Sequence, residues 1–265
     1  MNFWDKYLKV SNLHKSYVCL GLDTDLNLLP ENVLNEENPI WEFNKEIIAA
    51  TKSKVAAYKL NYAFYLSSGK KGLEALEKSL DAIPDYIPKI LDVKVGDISN
   101  TMTHYAKAYF EYLKVDAITV NPLMGEDVIT PLIEFPEKFF FVLAITSNQS
   151  ASDFLKKNNL YKNISRKIKK WGHLHTGAVV GATNSEEIQI ARSLMPKTLF
   201  LIPGIGTQGG SLDEVMKKAI CSKDNPAILI NSSRGIIHKS KDDDFVTVAV
   251  RETDKLREKI NVSLV

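Results

Sequence analysis

Lys89 to Thr101 reads KILDVKVGDISNT. Ile90, Leu91, Val93 and Val95 are strand formers, so the first seven residues predict a buried β-strand. NTMTHYAKAYFEYL, from Asn100, then carries Met102, Ala106 and Phe110 at i, i+4 and i+8, the spacing of one helix face. The stretch is thus a strand feeding a helix. Asp92 and Lys94 interrupt the apolar run, and Asp97 follows. Charges inside a core strand are costly unless they are paired.

Seven similar runs surround it: VCLGLD 18–23, AAYKLNY 56–62, AITVN 117–121, FFFVLAITS 139–147, TGAVVGAT 176–183, LFLIPG 199–204 and AILINSS 227–233. Helical patterns separate them, among them WEFNKEIIAATK, KGLEALEKSLDAI, SEEIQIARSLM and SLDEVMKKAI. Strands alternating with helices predict βα units and a parallel sheet, and eight units predict one closed α/β barrel, a (β/α)₈ TIM barrel, over residues 1–265. The alternative is a doubly wound open sheet. No low-complexity linker or solenoid repeat divides the chain.

Bulk properties narrow the function classes. Of 265 residues, 45% are hydrophobic and 25% charged, which suits a globular protein with a large core. A net charge of +2 is too small to point to nucleic acid or a membrane surface as partner. The start, MNFWDKYLKV, holds no apolar run of signal-peptide length, and FFFVLAI, 139–145, is too short to span a bilayer. Two cysteines, Cys19 and Cys221, predict reduced, packed thiols in a cytoplasmic protein. NLYKNISRKIKKWGH sets Tyr161, Ile164, Ile168 and Trp171 on one stripe and leaves a solvated basic face. His173 and His175 are two apart and predict a loop; no metal-ligand cluster stands out.

Barrels of this kind place their chemistry at the C-terminal strand ends. Asp23 ends the first strand, Lys59 and Asn61 the second, and Asp92 and Lys94 lie on the third. Side chains alternate across a strand, so Lys59 shares a face with Asn61, and Asp92 with Lys94. Their charges then pair at one mouth of the barrel. A structural ion network is the competing account, and Asp97 is equally placed to cap the helix that follows. After the seventh strand comes GIGTQGGS, 204–211, and after the eighth NSSRG, 231–235. Glycine-rich backbone and the fixed fork of Arg234 at these two strand ends predict a phosphate site, beside a capping box of Ser211 and Glu214. GIGTQG matches GxGxxG, but it follows the seventh strand and is not read as a dinucleotide fingerprint.

LDVKVGDISNT closely resembles the D-x-K-x-x-D-I-x-x-T signature of the orotidine 5′-phosphate decarboxylases. AAYKLNYAFY resembles that family's lysine strand, LGLDTD its first strand, and IPGIGTQGGS with NSSRGI its phosphate grip, in the same order from Val18 to Ile236. TSN after the fifth strand and the NSSRG form resemble the longer bacterial and parasite branch. The resemblance implies decarboxylation of orotidine 5′-phosphate to uridine 5′-phosphate, the last step of de novo pyrimidine nucleotide synthesis, with no cofactor and no metal. It implies a catalytic array of Lys59, Asp92, Lys94 and Asp97. Lys94 would give a proton to C6 of the pyrimidine, and Asp92 would lie by the scissile carboxylate. Asp97, with Ile98 and Thr101, would reach into the other subunit of a homodimer. Asp23, Lys59 and Asn61 would contact the ribose region, Ser147 (or its neighbour Thr146) the pyrimidine, and Gln208, Arg234 and Gly235 the phosphate. Two rivals remain. One is a metal-dependent sugar-phosphate decarboxylase or aldolase of the same suprafamily, which carries an acid where Lys59 stands. The other is a non-catalytic phosphate-binding barrel.

Overall fold

A computed structural model describes residues 1–206 and 209–264. Eight parallel strands close into a barrel in chain order, each paired with its sequence neighbours and the last with the first. They are β1 (Val18–Gly21), β2 (Ala57–Asn61), β3 (Lys89–Val95), β4 (Ala117–Val120), β5 (Phe139–Ile145), β6 (Thr176–Val180), β7 (Phe200–Ile202) and β8 (Ile228–Ser232). The barrel expectation holds and the open sheet falls. The predicted strands run long at their C-terminal ends. The fifth stops at Ile145 and the sixth at Val180, and the residues beyond them form the loops at the mouth.

The helices cover the outside by apolar faces of helical period. Helix α1 is Phe3–His14, α2 is Pro39–Thr51, α3 is Gly69–Ala82 and α4 is Ser99–Ala106. Further along come α5 (Leu160–Trp171), α6 (Ser185–Leu194), α7 (Leu212–Ala219) and α8 (Phe245–Val262). In α2, Ile40, Phe43, Ile47 and Ile48 are buried, and in α3, Ala75, Leu76 and Leu80. One π-helical turn, Lys107–Tyr112, extends α4. In α5, Tyr161, Ile164 and Ile168 are buried while Arg166, Lys167, Lys169 and Lys170 are exposed, as the solvated basic face requires.

Two cores result. One lies between sheet and helices. The other fills the barrel, where Cys19, Ile90, Phe139, Phe141, Leu199 and Leu229 pack together with Phe3 and Tyr7 of α1. Phe3 stacks on Phe139 at 4.5 Å, and the Tyr7 hydroxyl donates to the Ile228 carbonyl at 3.1 Å. Helix α1 therefore closes the N-terminal end and leaves the C-terminal end as the mouth. Cys19 is buried as expected, and burial pushes its thiol up to about 12. Cys221 is exposed, against the expectation that both thiols are packed; it lies in the turn that follows α7, where its backbone N–H donates to the Pro226 carbonyl. Among the described residues, no helix is long and apolar enough to cross a membrane.

Candidate active site

Parallel pairing of β1, β2 and β3 sets the charged residues side by side. Gly21 is opposite Lys59, and Asn61 is opposite Asp92. Asp23 follows β1, and both its flanks are pinned. The Tyr65 hydroxyl donates to the Leu22 carbonyl at 2.8 Å, and the Thr24 hydroxyl to buried Asn44 at 2.6 Å. Lys59 is 4% exposed, so its ammonium needs partners. It finds Asp92 Oδ2 at 3.1 Å and Asp23 Oδ1 at 3.4 Å. Lys94 Nζ reaches Asp92 Oδ1 at 2.7 Å. Asp92 thus joins two lysines, one through each oxygen.

Burial alone pushes the Asp92 carboxyl up, but the charges of Lys59 and Lys94 outweigh it and hold Asp92 well below the usual carboxylate range. Burial likewise pulls Lys59 down, and Asp23 and Asp92 more than reverse it, leaving Lys59 above its ordinary value. Both groups are therefore charged at neutral pH.

Strand β3 is not regular. Its register against β4 shifts between Leu91 and Val95, and Lys94 has a left-handed φ of 48°. That conformation costs a non-glycine residue roughly 1–2 kcal/mol. A bulge of this kind re-aims a side chain, and here it sets the Lys94 ammonium in the mouth beside Asp92.

These groups line a cavity of about 370 Å³ at the C-terminal end of the barrel. Of the predicted site residues, Asp23, Lys59, Asn61, Asp92, Lys94, Ser147 and Arg234 line it. Thr146 lines it too, so both candidates of the TSN loop face the same space. Asn61 also accepts the Ala63 N–H, which starts the short helix after β2. Arg234 is exposed at the rim and makes no hydrogen bond or ion pair among the described residues. In the loop after β7, Gly206 and Gly209 have φ of 74° and 87°, which favour glycine. Gln208 lies outside the described residues.

Asp97, Ile98, Thr101 and Gly235 do not line the cavity. Asp97 accepts the N–H of Ile98 at 2.8 Å, and Ile98, the N-cap of α4, makes no side-chain cap. The helix-capping role for Asp97 therefore reduces to a contact with the next residue. The capping box at α7 forms only in part. Ser211 accepts from the Glu214 N–H at 3.4 Å, but the Glu214 carboxylate turns to Lys218 and Ser185.

The lining also includes Thr119, which the sequence did not single out, and Asn231, to which it gave no role beyond its place in NSSRG. Thr119 reads as an ordinary strand former, and only its inward position on β4 gives it away. Asn231 is 8% exposed, with its Oδ1 buried and unpartnered among the described residues. Among the described residues there is no group of three or more His, Cys, Asp or Glu side chains that could hold a metal.

The model of the orotidine 5′-phosphate decarboxylase / HUMPS family matches residues 16–246. The chain belongs to this family. The orotidine 5′-phosphate decarboxylase of Phocaeicola vulgatus is 42% identical over 252 residues, covering 92% of each chain. The solved OMP decarboxylase of Leishmania donovani superposes with a TM-score of 0.85 at 31% identity, covering 100% of this chain and 99% of that one. The UMP synthase of the same organism gives a TM-score of 0.87 at 32% identity. It covers 100% of this chain, which spans 57% of that longer protein. The family's matched span runs through all eight strands and every lining residue of the cavity.

Proposed function

We propose that this chain decarboxylates orotidine 5′-phosphate to uridine 5′-phosphate, as one catalytic domain over residues 1–265. The observation that carries this reading is the buried Lys59–Asp92–Lys94 array at the mouth of a barrel of this family. Loss of carbon dioxide breaks the C6–carboxylate bond and leaves an electron pair in an in-plane orbital at C6. The ring delocalises it poorly. A fixed cation beside C6 stabilises that charge without reorganising at the moment of reaction. Lys94 is that cation, and it then passes a proton to C6. Its amine regains a proton from solvent. Asp92 holds both lysines charged and sets negative charge near the substrate carboxylate, disfavouring the bound substrate relative to the transition state.

Asp23, Lys59 and Asn61 bind the ribose region, and Ser147 with Thr146 the pyrimidine. Gln208, Arg234 and Gly235 hold the phosphate; the uncommitted Arg234 guanidinium at the rim supports this. The scheme draws on no metal or organic cofactor. The protein works in the cytoplasm as a homodimer whose sites are shared, with Asp97, Ile98 and Thr101 reaching the partner's cavity. Support for this comes from their placement outside their own cavity and from exposed Ile98, Leu123, Met124 and Phe154.

The test is direct. Purified protein mixed with orotidine 5′-phosphate and a chelator should remove the orotate absorbance and yield uridine 5′-phosphate. Activity that vanishes in chelator and returns with magnesium would favour the metal-dependent branch of the suprafamily.

A further inference from the structure

The irregularity in β3 raises a question that the array does not answer: what holds Lys94 in a left-handed conformation? Lys94 lies where β3 leaves register with β4, between Leu91 and Val95. Its N–H donates to the Thr119 hydroxyl at 2.9 Å. That hydroxyl spends its single proton on Asp92 Oδ1 at 2.8 Å, the same oxygen that accepts from Lys94 Nζ. One side chain, 1% exposed on β4, therefore ties the backbone of Lys94 to the carboxylate of Asp92.

A hydroxyl has one donor and two acceptor sites, so Thr119 can serve both partners at once. Valine has the same shape and can serve neither. Without the hydroxyl, Asp92 Oδ1 loses one of its two donors. The Lys94 N–H is then left without its partner at a part-buried bulge, and the backbone gains by relaxing toward the extended region. The ammonium would shift with it, away from the position beside C6. Misplacing a catalytic group by about 1 Å can cost on the order of 100-fold in rate.

We infer that Thr119 is a positioning residue for the decarboxylation: its hydroxyl pins the strained Lys94 backbone to Asp92 and so sets where the proton donor sits. This rests on the function proposed above. Thr119 acts through Lys94 and Asp92, so its effect should fall on turnover rather than on binding.

The experiment compares wild type with Thr119→Val and Thr119→Ser, with Thr119→Ala in place of Val should Val prevent folding. Folding is judged by circular dichroism and melting temperature. In the folded variant without the hydroxyl, kcat for orotidine 5′-phosphate should fall roughly 10- to 100-fold, the size expected for lost hydrogen bonds to charged groups. KM and the affinity for uridine 5′-phosphate should stay within about threefold, since binding groups are untouched. Thr119→Ser, which keeps the hydroxyl, should recover most of the loss. A folded Val or Ala variant with kcat near wild type would overturn the inference. So would a Ser variant as slow as Val, or a loss shared equally between kcat and affinity. A wild type inactive on orotidine 5′-phosphate would instead overturn the proposed function itself.

Discussion

Lys94 and Arg234 line one cavity, and the proposed function gives them different work. Arg234 has no partner among the described residues, so replacing it breaks no network. Arg234→Ala should weaken inhibition by uridine 5′-phosphate by about 2 kcal/mol, the scale of hydrogen bonds to charged groups. Inhibition by uridine should be unchanged; equal weakening of both would place Arg234 away from the phosphate. Asp92 and Lys59 carry a pH signature. Asp92 is held below its ordinary 3.8, so its stabilisation is complete above that value and is lost as pH falls through the folded-state value. Lys59 is held above 10.5, so its stabilisation is complete below that value and is lost as pH rises through the folded-state value. Neither charge changes between about pH 4 and pH 10. The difference in melting temperature between wild type and Asp92→Asn should therefore be flat from pH 5 to pH 9 and narrow below about pH 4. A difference that drifts across the neutral range would show that Asp92 is not held ionised by its two lysines.

At the scale of elements, strands were easier to read than their irregularities. β-Branched and aromatic runs such as FFFVLAI leave little choice but a buried strand. The ends were less legible, because polar residues at the mouth still carry strand formers, as in AITS. The bulge was not legible at all. Lys94 is neither glycine nor asparagine, and alternation alone places its side chain beside Asp92 while hiding the left-handed backbone that does so. Thr119 was hidden for a related reason, since threonine is common in strands on propensity alone. Helix α1 shows a face in its sequence, with Phe3, Tyr7 and Val10 buried, yet nothing in that pattern says that it plugs the barrel floor. Its role is testable. Phe3→Ala should lower stability by roughly 3–5 kcal/mol, the cost of removing a buried aromatic ring. KM for orotidine 5′-phosphate should not move, because Phe3 lies at the far end of the barrel from the mouth. A changed KM with unchanged melting behaviour would contradict this division.

At the scale of the whole molecule, the candidate site was legible where its residues share a strand or a strand end. Asp23, Lys59, Asp92, Lys94 and Arg234 fall into one cavity because a closed barrel brings strands one, two, three and eight together. Asp97 was assigned to the array by the family resemblance, but a single chain gives it no place in that cavity. The shared-site dimer proposed above would account for it. An isologous interface repeats each exchange in both directions. Lys94→Ala and Asp97→Ala should each be nearly inactive alone. In a mixed dimer one site takes both lesions and the other is intact. Random mixing makes about half of the dimers mixed, so co-expression should restore roughly a quarter of wild-type activity. Mixed dimers with no activity would place Asp97 within its own subunit. The central claim is that Lys94, held by Asp92, stabilises and protonates C6, and turnover by Lys94→Ala tests it most directly. The account predicts that kcat for orotidine 5′-phosphate falls by on the order of 10³-fold or more, the combined scale of a lost electrostatic stabiliser and a lost general acid. Affinity for uridine 5′-phosphate should persist within about tenfold, because the phosphate and ribose contacts remain. A folded Lys94→Ala protein that binds uridine 5′-phosphate and keeps kcat within about tenfold of wild type would contradict the account, because catalysis would then lie outside the array.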